Sequence, residues 1–156
     1  MPPSVPRSAG SRWLVIGGLL SALASLLHLG VIAGGPEWYR FFGAGEELAS
    51  AAERGSLRPA LITLAIAAIL GLWAAFAFSG AGRIRRLPLL RTALVGISTI
   101  YLLRGLAVIP VALFVPYREG AFEYWSSLIV LVYGLVHALG TWRAWPALRP
   151  APAVAA

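Results

Sequence analysis

Four stretches of the chain are apolar almost without interruption, at 13–33, 59–79, 92–115 and 124–142. A helix needs about 20 apolar residues to cross a bilayer core, at about 1.5 Å per residue, and each stretch meets that length. Small and polar residues inside them recur at spacings of three and four. Gly18, Ser21, Ser25, His28 and Ile32 line one face of the first stretch, and Ser126, Val130, Tyr133, His137 and Gly140 one face of the fourth. Ser98, Tyr101, Arg104 and Gly105 share a face of the third, and the second offers only Thr63. Gly17, Ser21 and Ser25, like Ala67, Gly71 and Ala75, form ladders of small residues that let helices approach closely in lipid. The pattern predicts an all-α fold, an integral membrane four-helix bundle with a polar interior. The seams themselves are read in two ways, as packing alone or as the lining of a site.

The segment 34–58 is too long for a turn between the first two spans. Pro36 suits the first position of a helix and Glu37 the positive end of its dipole, which places Trp38, Tyr39, Phe41 and Phe42 in a short interfacial helix. A second short helix is expected from Gly45, with Glu46 and Glu47 in its first turn, Arg54 in its last and Gly55 as cap. This segment is either an interfacial cuff or a lid over an outward-facing site. The ends, 1–11 and 147–156, are rich in Pro, Ala and Ser and are expected to be disordered, leaving 12–146 as the transmembrane domain.

Composition narrows the class further. The 156 residues suit one small domain, 59% are hydrophobic and only 12% charged, more apolar than a water-soluble fold tolerates on its surface. All 13 basic residues are Arg and all six acidic ones Glu; with no Cys, disulfides and thiolate metal sites are excluded. The formal charge of +7 does not point to nucleic acid, because the arginines flank the apolar stretches. Arg7, Arg12, Arg83, Arg85, Arg86, Arg91, Arg143 and Arg149 fall before the first span, between the second and third, and after the fourth; every Glu falls in the other two loops. The positive-inside rule then puts both termini in the cytoplasm of a multi-pass protein. The first apolar run is too long for a cleaved signal peptide and no clear cleavage site follows it.

Arg104 is the one charge inside a span. A central Arg costs about 2.5–3.5 kcal/mol on insertion scales, so it is expected to face the bundle interior and to find acceptors there. No Glu lies within a predicted span, which leaves neutral partners: Tyr101, Tyr133, Ser98 and the carbonyls loosened by Pro110. Counting depth along ideal helices brings Tyr101, Tyr133, His137, His28, Ser98 and Ser25 to a midplane cluster around Arg104. The cluster reads as a structural clasp, or as a site for the head of an anionic or polar amphipathic molecule, of lipid, fatty acid or quinone type. Haem b held by His28 and His137 is disfavoured by a vertical offset of roughly 13 Å at 1.5 Å per residue. Two histidines without carboxylate or thiolate are thin for zinc, and no metal or other cofactor is expected.

The stretches GGPEWYRFFGAGEELA, LPLLR, IYLLRGL and WSSLIVLVYGLVHALG look like a pattern that recurs in small four-helix bacterial membrane proteins. In size and helix count the chain resembles the DoxX-like group, without a motif that carries over residue by residue. The resemblance implies a bacterial inner membrane and implies no activity. A proton-coupled small multidrug exporter would need a Glu in its first span, and this chain has none there. Two readings remain: a protein that binds, and in an enzymatic version processes, an amphipathic molecule at Arg104, or a structural subunit contacting another copy or a partner membrane protein.

Overall fold

The computed structural model describes residues 8–109 and 121–149. These form five helices and, among the described residues, no strand: α1 (Ser11–Phe41), α2 (Glu46–Glu53), α3 (Arg58–Gly80), α4 (Leu90–Leu106) and α5 (Ala121–Ala144). Three of them, α1, α3 and α5, are long and apolar enough to cross a membrane. Helix α4 has 17 residues; the end of the predicted third span, 110–115 with Pro110, lies outside the described residues.

The predicted elements between α1 and α3 form for the expected reasons. Helix α1 breaks at Gly35, whose φ of 67° and ψ of −152° suit glycine alone, and Pro36 restarts it. The Trp38 ring folds back directly onto Gly34, where no side chain would fit. Helix α2 opens after Gly45 with Glu46 and Glu47 in its first turn and closes at Arg54, followed by Gly55 at φ 76°.

Packing changes the picture for the inner part of each end, 8–11 and 147–149, while 1–7 and 150–156 lie outside the described residues. Ser8 donates its backbone N–H to the Ser11 hydroxyl at 2.9 Å, so the described residues ahead of α1 form a turn. Leu148, expected in a disordered tail, is fully buried in a cluster with Leu14, Ala81, Leu90, Leu94 and Ala144. Leu148 packs this stretch against the bundle, and Arg86 and Arg91 hold the Leu148 and Trp145 carbonyls. Composition, dominated there by Pro and Ala, hid this packing.

The four long helices form a ring in the order α1, α3, α4, α5. The broadest contacts are α1 with α3 and α4 with α5; α3 with α4 and α5 with α1 close the ring. The α4–α5 contact is a reciprocal antiparallel interlock. A Cβ on Gly105 would lie 2.6 Å from the Leu131 backbone, and one on Gly134 would lie 2.8 Å from the Leu102 backbone nitrogen. Glycine at both positions lets the backbones touch, which is how helices gain contact where lipid removes the hydrophobic drive between them.

Candidate functional site

A polar network of His137, Ser21 and Tyr101 crosses the bundle interior. His137 is fully buried on α5, and its Nδ1 lies 2.9 Å from the Tyr133 carbonyl one turn earlier. A carbonyl only accepts, so Nδ1 carries the proton and Nε2 is left as an acceptor. The Ser21 hydroxyl of α1 fills it from 3.4 Å, and the Tyr101 hydroxyl of α4 donates to Ser21 Oγ at 3.0 Å. Tyr101 thereby reaches across the diagonal of the ring. Its ring packs edge-on against Trp73 at 4.9 Å and Tyr133 at 5.7 Å, and tilted against His137 at 5.1 Å. The imidazole sits on Gly17, where a Cβ would come within 2.9 Å of it. Three helices are joined by a chain in which each donor finds an acceptor.

The other predicted cluster members bond to backbone carbonyls outside this network. Ser98 donates to the Leu94 carbonyl at 2.7 Å, one turn back in its own helix, and Ser25 donates to the Ala67 carbonyl of α3 at 2.8 Å. His28 bonds the Ala24 carbonyl at 2.7 Å. It stands seven residues beyond Ser21 on α1, about 10 Å along the axis. Both nitrogens of His137 are already engaged, and no group of three or more metal-ligating side chains occurs among the described residues.

Arg104 is not in this cluster. The inward stripe of α4 runs through Leu94, Ile97, Ser98, Tyr101 and Gly105, and Arg104 lies off its edge with its side chain 50% exposed. Its guanidinium donates to the Ser127 hydroxyl at 3.1 Å and meets the Glu123 carboxylate at 3.4 Å. The expectation of purely neutral partners fails because α5 begins at Ala121, not near Tyr124, which brings Glu123 into its first turn. Each charge lies at the helix end that favours it, the cation in the last turn of α4 and the anion in the first of α5. Ser127 and Ser21 were not singled out as site residues. The signal for Ser127 was available, since Glu123 and Ser127 are four apart and so share a helix face.

The cuff is built around Arg40. It donates to Glu46 through two nitrogens, at 2.9 and 2.8 Å, to Glu53 at 2.7 Å and to Glu37 at 3.2 Å. Glu47 instead meets Arg58 at 3.3 Å. Tyr39 is buried with Val31 and Ala49, while Phe42 contacts Trp38, Phe41 and, at 6.3 Å, Phe122 of α5. The hydrogen bonds from Arg40, then Ser50, hold the Glu46 carboxyl down from 4.5 to about 2, and Arg40 lowers Glu53 in the same direction. A carboxyl with a lowered folded pKa stabilises the cuff above its unfolded value and stops doing so as pH falls through the folded one. The ion-pair contribution to the cuff is therefore expected to be intact at pH 5 and to be lost between about pH 4.5 and about 2. Trp38 emission, taken as the difference from a Trp38→Phe variant, follows it; a transition above pH 5, or one unchanged in Arg40→Leu, would contradict this assignment.

No family model matches this chain, and neither a curated protein nor a solved structure does.

Proposed function

We propose that the chain is a multi-pass bacterial inner-membrane protein with four crossings and both termini in the cytoplasm. On this reading, Arg104 with Ser127 and Glu123 receives the anionic or polar head of an amphipathic molecule of lipid, fatty acid or quinone type. The observation that carries it is the position of Arg104, a half-exposed guanidinium on a flank whose neighbours Ile100, Leu103 and Leu128 are exposed and apolar. A guanidinium offers five N–H donors, and a single 3.4 Å contact to Glu123 with one bond to Ser127 occupies two. A head group arriving from the side would take the outward donors while its tail lay along the leucines. This reading moves the ligand from the buried midplane to the bundle flank, because Tyr101, Ser21 and His137 are occupied with one another.

A second reading, a structural or accessory membrane subunit with Arg104 as a clasp, is favoured by the placement of both charges at complementary helix ends. A native mass spectrum of the protein gently extracted from its own membrane separates the two. The expected result is a small molecule retained by the native chain and lost in a folded Arg104→Leu variant. A bare native chain, another polypeptide in its place, or the same molecule on the variant would defeat the binding reading.

A further inference from the structure

Among the described residues, the end of the bundle opposite the cuff is rich in arginine and holds no Glu to balance it. All six Glu of the sequence lie at 37–53 or 119–123, far along the chain from Arg12, Arg83, Arg85, Arg86, Arg91 and Arg143. Some of these arginines are committed to the fold. Arg86 donates to the Leu148 carbonyl, and Arg91 donates to the Trp145 carbonyl at 2.7 Å while lying over the Trp145 ring at 4.2 Å. Arg12, Arg83 and Arg143 are exposed and have no hydrogen-bonded or ion-paired side-chain partner among the described residues; Arg143 lies 5.9 Å from the Trp13 ring.

These three line two grooves that share a wall. Arg12, Ser8 and Ile16 belong to both. One groove, of about 580 Å³, continues past Ser11 to Arg83 over a floor of Val15 and Ala81. The other, of about 560 Å³, passes Trp13 to Arg143. Polar hydroxyls and guanidinium groups stand at the head of each groove and apolar side chains lie below. Beyond Ile16 the same flank of α1 continues through Leu19 and Leu23, all three exposed. The gradient runs from cationic at Arg12 to aliphatic at Leu23 over about three helical turns.

We propose that Arg12, Arg83 and Arg143 hold the phosphate of an anionic phospholipid whose acyl chains lie along Ile16, Leu19 and Leu23. The chemistry is the planar guanidinium fork on phosphate oxygens, strengthened by the lowered dielectric of the interface. A free phosphate would satisfy the arginines but would leave the aliphatic run unused. The indole of Trp13, beside both the groove and Arg143, suits the head-group level, where amphipathic rings settle. This site needs only that the chain lies in a bilayer, and it stands or falls independently of the Arg104 reading.

The test uses the full chain in detergent with equal amounts of phosphatidylglycerol and phosphatidylcholine, bound lipids being counted by native mass spectrometry. The native chain is expected to retain phosphatidylglycerol in preference. Arg12→Gln with Arg83→Gln should weaken that retention roughly tenfold or more, whereas Arg54→Gln with Arg58→Gln, the same charge loss at the other end, should not. Arg83→Gln alone leaves Arg85, Arg86 and Arg91 to hold the orientation and should give a smaller loss in the same direction should the double variant fail to insert. Equal retention of phosphatidylcholine, or unchanged retention in the Arg12 and Arg83 variants, overturns the proposal. Displacement of the lipid by millimolar inorganic phosphate would make this a free-phosphate site and also overturns it. If the lipid is lost in Arg104→Leu but kept in the Arg12 and Arg83 variants, it sits on the Arg104 flank and this site fails alone.

Discussion

Gly105→Leu is expected to cost the fold at least about 1–3 kcal/mol, the range for overpacking, and to lower the yield of folded protein sharply. The atoms a Cβ would meet at 2.6 Å are the Leu131 backbone, so no rotamer change relieves the clash and α5 must move away from α4. That motion would also loosen Gly134 from Leu102 on the same interface and draw Ser127 away from Arg104. Gly96, in the same helix, is the matched control. A Cβ there meets nothing within 4 Å, and Gly96→Leu is expected to be neutral or slightly stabilising, because Gly is about 0.8–1 kcal/mol poorer than Ala in a helix interior. Denaturation in mixed micelles followed by circular dichroism compares the two. Equal behaviour of Gly105→Leu and Gly96→Leu would mean that α4 and α5 do not meet in this register.

The second large effect is expected at His137. His137→Leu has nearly the same bulk but leaves the fully buried Ser21 hydroxyl without an acceptor, a loss of about 1–3 kcal/mol. In membrane proteins such bonds average only about 0.6 kcal/mol and reach about 1.7, because the unfolded chain also finds partners in lipid. The buried, fully enclosed position of His137 favours the upper part of the range. Because Tyr101, Ser21 and His137 act in series, Ser21→Ala combined with His137→Leu should cost less than the sum of the two single changes. Additive losses in that cycle would show that the two side chains do not interact. Tyr101→Phe should be mildest of the set, since it removes one donor and leaves Ser21 bonded to the imidazole.

The sequence carried much of the scaffold and little of the side-chain geometry. Uninterrupted apolar runs marked α1, α3 and α5 to within a few residues, because nothing else in a chain keeps lipid-length segments free of charge. Pro36, Gly45 and Gly55 marked the cuff, because a backbone at positive φ or a residue lacking N–H leaves few alternatives. Side-chain partnerships were harder. Depth counting brought Tyr101, Tyr133 and His137 together correctly as neighbours, but placed Arg104 among them. A helix turns 100° per residue, so a rotation too small to see in hydropathy carries a guanidinium from the inside of a bundle to its flank. The start of α5 mattered equally: three residues more of helix supplied the carboxylate that the predicted boundaries denied. Arg40 escaped notice as a hub because its three Glu partners are spread from 37 to 53 and meet only after the turn between α1 and α2 forms.

Tyr101 has a consequence for how the molecule moves. The ring consists of two broadly joined helix pairs, and carriers that alternate between sides of a membrane do so by rocking one such half against the other. In this bundle a phenol from one half is bonded to a serine in the other, and that serine is bonded in turn to an imidazole that belongs with the phenol's own half. Rocking one half against the other would have to part both bonds. Two bonds through its centre therefore tie the two helix pairs of this bundle to each other, and any relative motion of the pairs is felt first at Ser21.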